Sequence, residues 1–184
     1  MSSTAAPAGT ATTWSIDPAH SHVEFAVRHL MISTVKGRFA VVRGTVQTDE
    51  TDPVKGLAEI EIDADSIDTR ESQRDAHLRS ADFLDVETFP KITFKSTRIS
   101  DASGDRFKLT GDLTIHGVTR EVTLDVTSEG RGKDPWGGER AGFSATTKIK
   151  RSDYGLTWNQ ALETGGFVVG DDVKISLEVE MVKQ

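Results

Sequence analysis

The sequence predicts an all-β protein, an antiparallel barrel of roughly eight strands with short helices near its rim. Apolar and polar residues alternate along most of the 184-residue chain, which is the pattern of strands with one face in water. The connections between these stretches are short and rich in glycine, so they favour turns over the helical crossovers of a parallel sheet. Closing such a sheet into a barrel also removes its exposed edges.

Seven stretches alternate clearly, and an eighth does so less regularly. The predicted apolar faces of the seven are, in order, Val23 to Val27, Ala58 to Ala64, Ile92 to Phe94, Phe107 to Ile115, Val122 to Val126, Phe143 to Ile149 and Val173 to Met181. The eighth stretch, KGRFAVVRGTVQTD, contains the adjacent pair Val41 and Val42. This pair indicates either a bulge or a strand that is apolar on both sides.

One stretch, RDAHLRSADFLDVETFPKITFKS, departs from the strand pattern. Ser72 and Asp75 have the spacing of a capping box, which predicts that a short helix begins at Ser72. Such a helix would turn Leu78, followed by Phe83, toward the barrel, while Arg74, Asp75 and Arg79 would face water. Pro90 ends the excursion and returns the chain to a strand at Ile92 and Phe94. Further short helical turns are predicted in HLMISTVKG and SDYGLTWNQ.

Length and composition indicate one globular domain, which we assign to residues 14–184, preceded by a disordered leader at residues 1–13. The formal net charge of −7, from 29 acidic and 22 basic residues, argues against nucleic-acid binding. Cysteine is absent, which excludes disulfides, thiolate zinc sites and cysteine nucleophiles. The leader shows no signal-peptide pattern, and no apolar stretch is long enough to span a bilayer, so we expect a cytoplasmic location.

The histidines are the main candidates for chemistry. His20 and His22 stand two apart, so on one strand both imidazoles would face the same way and could begin a zinc or copper site. No third ligand is evident from the spacing, and an ordinary pair at a strand start is the simpler interpretation. His29, His77 and His116 are scattered, and the nucleophile motif G-x-S-x-G is absent. We therefore expect no catalytic residues, metal or cofactor, with a metal-dependent or acid–base enzyme acting on a lipid-like substrate as the alternative.

Four stretches carry a resemblance to a known family: RDAHLRSADFLDVETFPKITF, GDLTIHGVTREVTL, DPWGGERAGF and FAVRHLMISTVKGRF. Together they resemble the YceI-like, polyisoprenoid-binding family in the expected order, from about Trp14 to about Val182. The resemblance implies a lipocalin-like, eight-stranded barrel whose elongated pore holds an amphiphile with an isoprenoid tail. It also implies a homodimer in many members, and a periplasmic location in the many relatives that carry a signal peptide.

The predicted function is therefore to bind and sequester or carry an isoprenoid lipid, of polyprenyl or quinone type, or another long-chain amphiphile, without catalysis. The alternation along each strand predicts which side chains point inward. The strand residues that we expect to line the pore are Phe25, Val27, Phe39, Ile60, Ile62, Phe94, Leu113, Phe143 and Ile175. The non-strand residues nominated to line or close the mouth are Leu78, Phe83, Met31, Ile32, Leu156, Trp158 and Phe167. We expect His29, His77 and Arg79 near the ligand's head group. The alternation fits a packed core equally well, so a fully filled barrel with a structural role is a third hypothesis.

Overall fold

The computed structural model describes residues 11–184, which form one sheet of eleven strands and, within that range, one α-helix. The helix, α1, is Ser72–Arg79. The strands are β1 Ala11–Ile16, β2 His22–His29, β3 Ser33–Phe39, β4 Val42–Asp49, β5 Leu57–Asp63, β6 Ile67–Asp68, β7 Lys91–Ser103, β8 Arg106–Ile115, β9 Val118–Lys133, β10 Glu139–Lys150 and β11 Val169–Lys183. Short 3-10 turns occupy Pro18–His20, Pro53–Lys55, Ala64–Ser66 and Arg151–Tyr154.

Eight strands close into an antiparallel ring in the order β1-β4-β5-β7-β8-β9-β10-β11, with β11 pairing back to β1. The partner of β11 changes along its length: residues 181–183 pair with β1, and residues 169–178 pair with β2. A 3-10 turn separates β1 from β2, so these two strands share one position in the wall. β3 and then β6 extend the sheet from β2. The predicted antiparallel barrel is confirmed.

The segment KGRFAVVRGTVQTD forms two strands rather than one irregular strand. The chain leaves β3 after Phe39 and enters β4 at Val42, and the amide of Val41 donates to the Ser66 hydroxyl instead of to a neighbouring strand. Val42 is fully buried. The adjacent valines therefore mark the passage from β3 to β4. The alternation breaks there because the chain changes strand, and not because a strand contains a bulge.

Residues 64–90, called the excursion here, leave and rejoin the wall at one point, because the amide of Ala64 donates to the carbonyl of Pro90. The predicted helix is present, but its N-cap is Glu71, whose carboxylate accepts from the amides of Gln73 and Arg74. Asp75 is buried, whereas the sequence predicted that it would face water. It is 7% exposed and accepts from the amide and hydroxyl of Thr69, a buried partner that alternation does not reveal.

Three further predictions concerned the start of the domain and two segments with short helical turns. The first strand begins at Ala11, three residues before the predicted domain start, and residues 1–10 of the expected leader lie outside the described residues. HLMISTVKG holds no helical turn; it is the β2–β3 hairpin, whose turn places Leu30 and Met31 at positive φ. In SDYGLTWNQ, the predicted helical turn is present in Arg151–Tyr154.

Candidate ligand-binding cavity

The barrel is not completely filled, because its inward side chains leave a cavity. The volume of this ligand cavity is about 350 Å³. Its wall is overwhelmingly aliphatic and aromatic. Every ring strand except β1 contributes to it, as do β2, β3 and the excursion. Residues 155–168, called the capping loop here, also contribute. A concave, mostly apolar site with a few polar groups is typical of small-molecule binding.

Most of the nominated residues lie in the wall of the ligand cavity. They are Phe25, Val27, His29, Phe39, Ile60, Ile62, His77, Leu78, Phe83, Phe94, Leu113, Leu156, Trp158 and Ile175. Strand parity located the wall residues because alternate side chains of a strand face the same side of the sheet. The same parity extends to neighbours that were not nominated, such as Val23, Val173 and Leu177.

Five nominated residues lie outside the cavity wall. Phe143 packs edge-on against Phe107, with ring centroids 6.2 Å apart, and does not line the cavity. Met31 and Ile32 are 62% and 78% exposed at the β2–β3 turn, because the hairpin tip extends past the rim. Phe167 is 59% exposed on the capping loop. Arg79 points back along the chain and donates to the carbonyls of Asp65 and Ile67, so it fastens the excursion.

Sequence reasoning missed three arginines that line the cavity: Arg28, Arg74 and Arg151. Arg74 was expected in water, and nothing in the alternation marks Arg28, which follows an inward residue on β2. Thr147 is a further polar residue of the wall. The missed aliphatic residues of the wall include Val35, Val42, Ile67, Leu84, Ile92, Ile115, Val122, Leu124, Ile149, Val168, Val169 and Val179.

Three rings join α1 to the capping loop at one end of the cavity, called the mouth. The mouth is the end where β2 and β10 finish and β11 begins. The His77 ring lies 4.8 Å from Trp158 and 5.0 Å from Phe83, and the last two rings are 5.3 Å apart. Nε2 of His77 also lies 2.8 Å from a carboxylate oxygen of Asp82. The aromatic cluster therefore connects both cover segments through one imidazole.

Arg151 holds the capping loop in place. The residue is 7% exposed, and its guanidinium donates to four backbone carbonyls, those of Leu156, Trp158, Val169 and Gly170, at 2.7 to 3.2 Å. Burial lowers the pKa of the guanidinium, and the nearby Asp171 opposes that effect. The bonds to Leu156 and Trp158 place both side chains in the cavity wall.

A second space, the outer pocket, adjoins the mouth and has a volume of about 570 Å³. It shares Arg28, Arg151, Leu156 and Val169 with the ligand cavity. Met31 and Phe167 also line it, so these two nominated residues lie at the entrance rather than in the cavity. The ligand cavity and the outer pocket are therefore neighbours, with the side chains of Arg28 and Arg151 in the walls of both.

His20 and His22 do not form a shared site. His20 lies in the turn before β2, with Nδ1 2.8 Å from an oxygen of Asp17, whereas His22 lies on β2 opposite Glu178, outside the cavity wall. Ligand atoms of Asp17, His20 and Glu180 lie within 4.8 Å of one another. However, Nη1 of Arg140 donates to both carboxylates, at 2.9 and 2.5 Å, and so supplies the positive charge at that cluster.

A closed antiparallel barrel around an apolar cavity defines a ligand-binding barrel. A YceI-like domain model matches residues 14–181, and the chain belongs to the YceI-like family. Protein YceI of Salmonella newport is 41% identical over 165 residues, which span 90% of this chain and 83% of that protein.

Solved structures share the fold. BcnA from Burkholderia cenocepacia superposes with a TM-score of 0.78 at 27% identity, over 90% of this chain and 98% of that one. A polyisoprenoid binding domain from Saccharophagus degradans, implicated in plant cell wall breakdown, has a TM-score of 0.66 over 93% of this chain and 98% of that domain. At 18% identity, that domain shows likeness of fold alone. The family resemblance inferred from the sequence is confirmed.

Proposed function

We propose that this protein binds an isoprenoid amphiphile, of polyprenyl or quinone type, with its tail in the ligand cavity, and sequesters or carries it without catalysis. The observation that carries the proposal is the apolar cavity inside a closed barrel, reached past a few polar side chains at the mouth. Family membership and the polyisoprenoid binding of the Saccharophagus domain support lipid binding in general.

The energetics favour an apolar tail. Each buried methylene contributes roughly 0.8 kcal/mol, so a five-carbon isoprene unit contributes on the order of 3–4 kcal/mol. Ordering the tail and desolvating the head group offset part of this gain. Within residues 11–184, no helix is long and apolar enough to cross a membrane.

A binding role also suits the chemistry of the wall. Its ionisable side chains are arginines and histidines at the mouth, and the long inner part of the wall is aliphatic. An acid–base mechanism requires a donor or acceptor within hydrogen-bond reach of the reacting group. The Asp17–His20–Glu180 cluster lies outside the cavity wall and is held by Arg140.

The proposal is tested by purifying the protein, extracting it with solvent and identifying bound lipid by mass spectrometry. Ile175→Trp adds a ring inside the cavity, whereas Ser176→Trp adds the same ring one residue further along β11 on the exposed face. We expect stoichiometric lipid in the wild type and in Ser176→Trp, and greatly reduced lipid in Ile175→Trp. Wild-type protein that carries no lipid and takes up none when it is added would contradict the proposal.

The homodimer implied by the family resemblance is part of the same proposal. Sedimentation equilibrium of the purified protein measures it directly. A single species at twice the 20.0 kDa chain mass is the expected result, and a monomer across the concentration range would remove the dimer from the proposal without affecting lipid binding.

A further inference from the structure

Every charged side chain of the ligand cavity is an arginine, namely Arg28, Arg74 and Arg151, and among the described residues no aspartate or glutamate lines the cavity. The other polar residues of its wall are His29, His77 and Thr147. The whole chain, in contrast, has 29 acidic and 22 basic residues. We propose that the mouth selects an amphiphile with an anionic head group, a phosphate or a carboxylate, an inference that rests on the proposed lipid-binding function.

The basic side chains are gathered at the mouth rather than spread along the wall. Arg74 and His77 stand three residues apart on α1, so they share a face of that helix. His77 contacts Trp158, whose carbonyl accepts from Arg151 at 2.9 Å. Arg151 and Arg28 in turn line both the ligand cavity and the outer pocket. Contacts therefore connect His77 to Arg151, Arg74 lies on the same face of α1 as His77, and Arg28 lines both spaces beside Arg151.

The three arginines lack carboxylate partners among residues 11–184. Arg28 donates to the carbonyl of Met31 and the hydroxyl of Thr34, and Arg74 donates twice to Thr69. Arg151 donates only to backbone carbonyls. Arginines elsewhere do form ion pairs, as Arg43 does with Asp63 and Arg79 with Asp65.

Three carboxylates of the segments around the mouth have other partners. Asp75 accepts from the buried amide and hydroxyl of Thr69, Asp171 accepts from the amide and hydroxyl of Ser152, and Asp82 bonds to His77. A guanidinium has five N–H groups, so Arg74 keeps both N–H groups of Nη1 free of bonds to the described residues. Arg28 uses one N–H group of Nη1 and one of Nη2, so the second N–H group on each nitrogen also has no bond to the described residues.

Cations beside an apolar space favour an anionic partner. Desolvation penalises a charged group unless an opposite charge or hydrogen bonds compensate it, and a charge-assisted hydrogen bond is about twice as strong as a neutral one. A phosphate or carboxylate at the mouth would accept from the free N–H groups while its tail occupies the aliphatic wall. A neutral hydroxyl head group would offer the arginines no opposite charge.

Binding of tail-matched probes to delipidated protein tests the inference. One pair is geranylgeranyl phosphate and geranylgeraniol, and a second pair is a long-chain fatty acid and the alcohol of the same length. At low salt we expect the anionic member to bind at least about tenfold more tightly, with the ratio falling as salt rises. Discrimination in either pair supports the inference, and the pair that shows it identifies the head group.

A matched set of variants locates the effect. In the double variant Arg28→Gln and Arg74→Gln, we expect the affinity for the anionic probe to fall to that for its alcohol. The double variant Arg106→Gln and Lys174→Gln, at two exposed positions outside the cavity, removes the same number of charges and should keep the wild-type ratio. Thermal unfolding checks that each variant folds. Arg151 is left intact because its loss would release the capping loop.

The outcomes separate this inference from the proposed function. If the phosphate, the acid and the alcohols bind the wild type equally well, the anionic head group is overturned while lipid binding stands. If the double variant keeps the full preference for the anion, the mouth arginines are not its cause and the inference also fails. If no probe binds the delipidated wild type, the proposed function itself fails.

Discussion

His77 and Trp158 meet edge to face with ring centroids 4.8 Å apart, and this contact joins α1 to the capping loop over the ligand cavity. Phe83 completes the cluster at 5.0 and 5.3 Å from the two rings. All three side chains line the cavity. The cluster therefore lies at the mouth, where the proposed lipid tail would have to enter and leave the barrel.

Removing the Trp158 ring should speed ligand release. Each aromatic contact contributes about 0.5–1.5 kcal/mol beyond its buried area, and Trp158→Ala removes two of them. We expect release to be roughly tenfold faster, measured by stopped-flow displacement of a fluorescent lipid. Trp136→Ala is the control, because Trp136 is 86% exposed on the β9–β10 turn. Equal release rates for the two variants would show that the aromatic cluster does not hold the ligand.

Adding a methyl group at Gly37 should disturb the cavity wall. The ring of Phe25 lies against Gly37 on the neighbouring strand, and a Cβ there would also approach Thr69 to 2.8 Å. We expect Gly37→Ala to lower the free energy of unfolding by about 1–3 kcal/mol, measured by urea denaturation. Gly132→Ala adds the same methyl group with no atom within 4 Å, and its effect should stay within about 0.5 kcal/mol. Equal effects would remove the Phe25 contact as the cause.

The pattern of apolar residues predicts the barrel because the strand period is simple and nearly all of the wall follows it. The alternation at Phe25, Val27, Ile60 and Ile62 places all four side chains in the cavity wall. It does not show how far along the barrel axis each residue lies. Phe143 has the inward parity of its strand, yet it packs against Phe107 instead of lining the cavity.

The arginines of the mouth and the buried Asp75 could not be predicted from local pattern. Arg151 is buried because carbonyls from two segments, residues 156–158 at the start of the capping loop and residues 169–170 at the start of β11, converge on it, and the folding of the loop creates that arrangement. Asp75 is buried for the same kind of reason, through Thr69. Charged residues are usually exposed, so sequence reasoning assigned Arg74 and Asp75 to water.

The ion network around Asp17 should make stability depend on pH. Hydrogen bonds from His20 and then Arg140 lower the pKa of Asp17 from 3.8 to about 2, and the bond to Asp17 raises the pKa of His20 above 6.5. The stability contributed by Asp17 is complete above pH 3.8 and is lost as pH falls toward 2. The contribution of His20 is complete below pH 6.5 and is lost as pH rises through its raised value.

Two variants separate the contribution of Asp17 at low pH from that of His20 at higher pH. We expect the difference in unfolding temperature between wild type and Asp17→Asn to shrink below pH 3.8, and that between wild type and His20→Gln to shrink above pH 6.5. His22→Gln is the control, because His22 lies 4.0 Å from Glu24 and outside the network. Differences that stay constant from pH 2 to pH 8 would show that the network does not titrate in this way.

Tyr154 should titrate late. It is 1% exposed, and burial raises the pKa of its phenol from 10.0 to about 12. The sequence contains one tyrosine, so tyrosinate absorbance reports this residue alone. We expect a midpoint near pH 12 in the folded protein and near 10.0 in urea, and the stability linked to the neutral phenol to be lost between those values. A folded midpoint near 10 would show that the ring is accessible to water.

The Tyr154 hydroxyl is also a source of instability. It is buried and has no hydrogen-bond partner among residues 11–184. A buried polar group without a partner costs about 1–3 kcal/mol, so Tyr154→Phe, which keeps the ring, should raise the free energy of unfolding by roughly 1 kcal/mol. Tyr154→Leu is the comparison, because it loses the ring as well and should be destabilising. If urea denaturation shows that Tyr154→Phe loses stability instead, the hydroxyl is hydrogen-bonded in solution, and a buried water is the partner that fits.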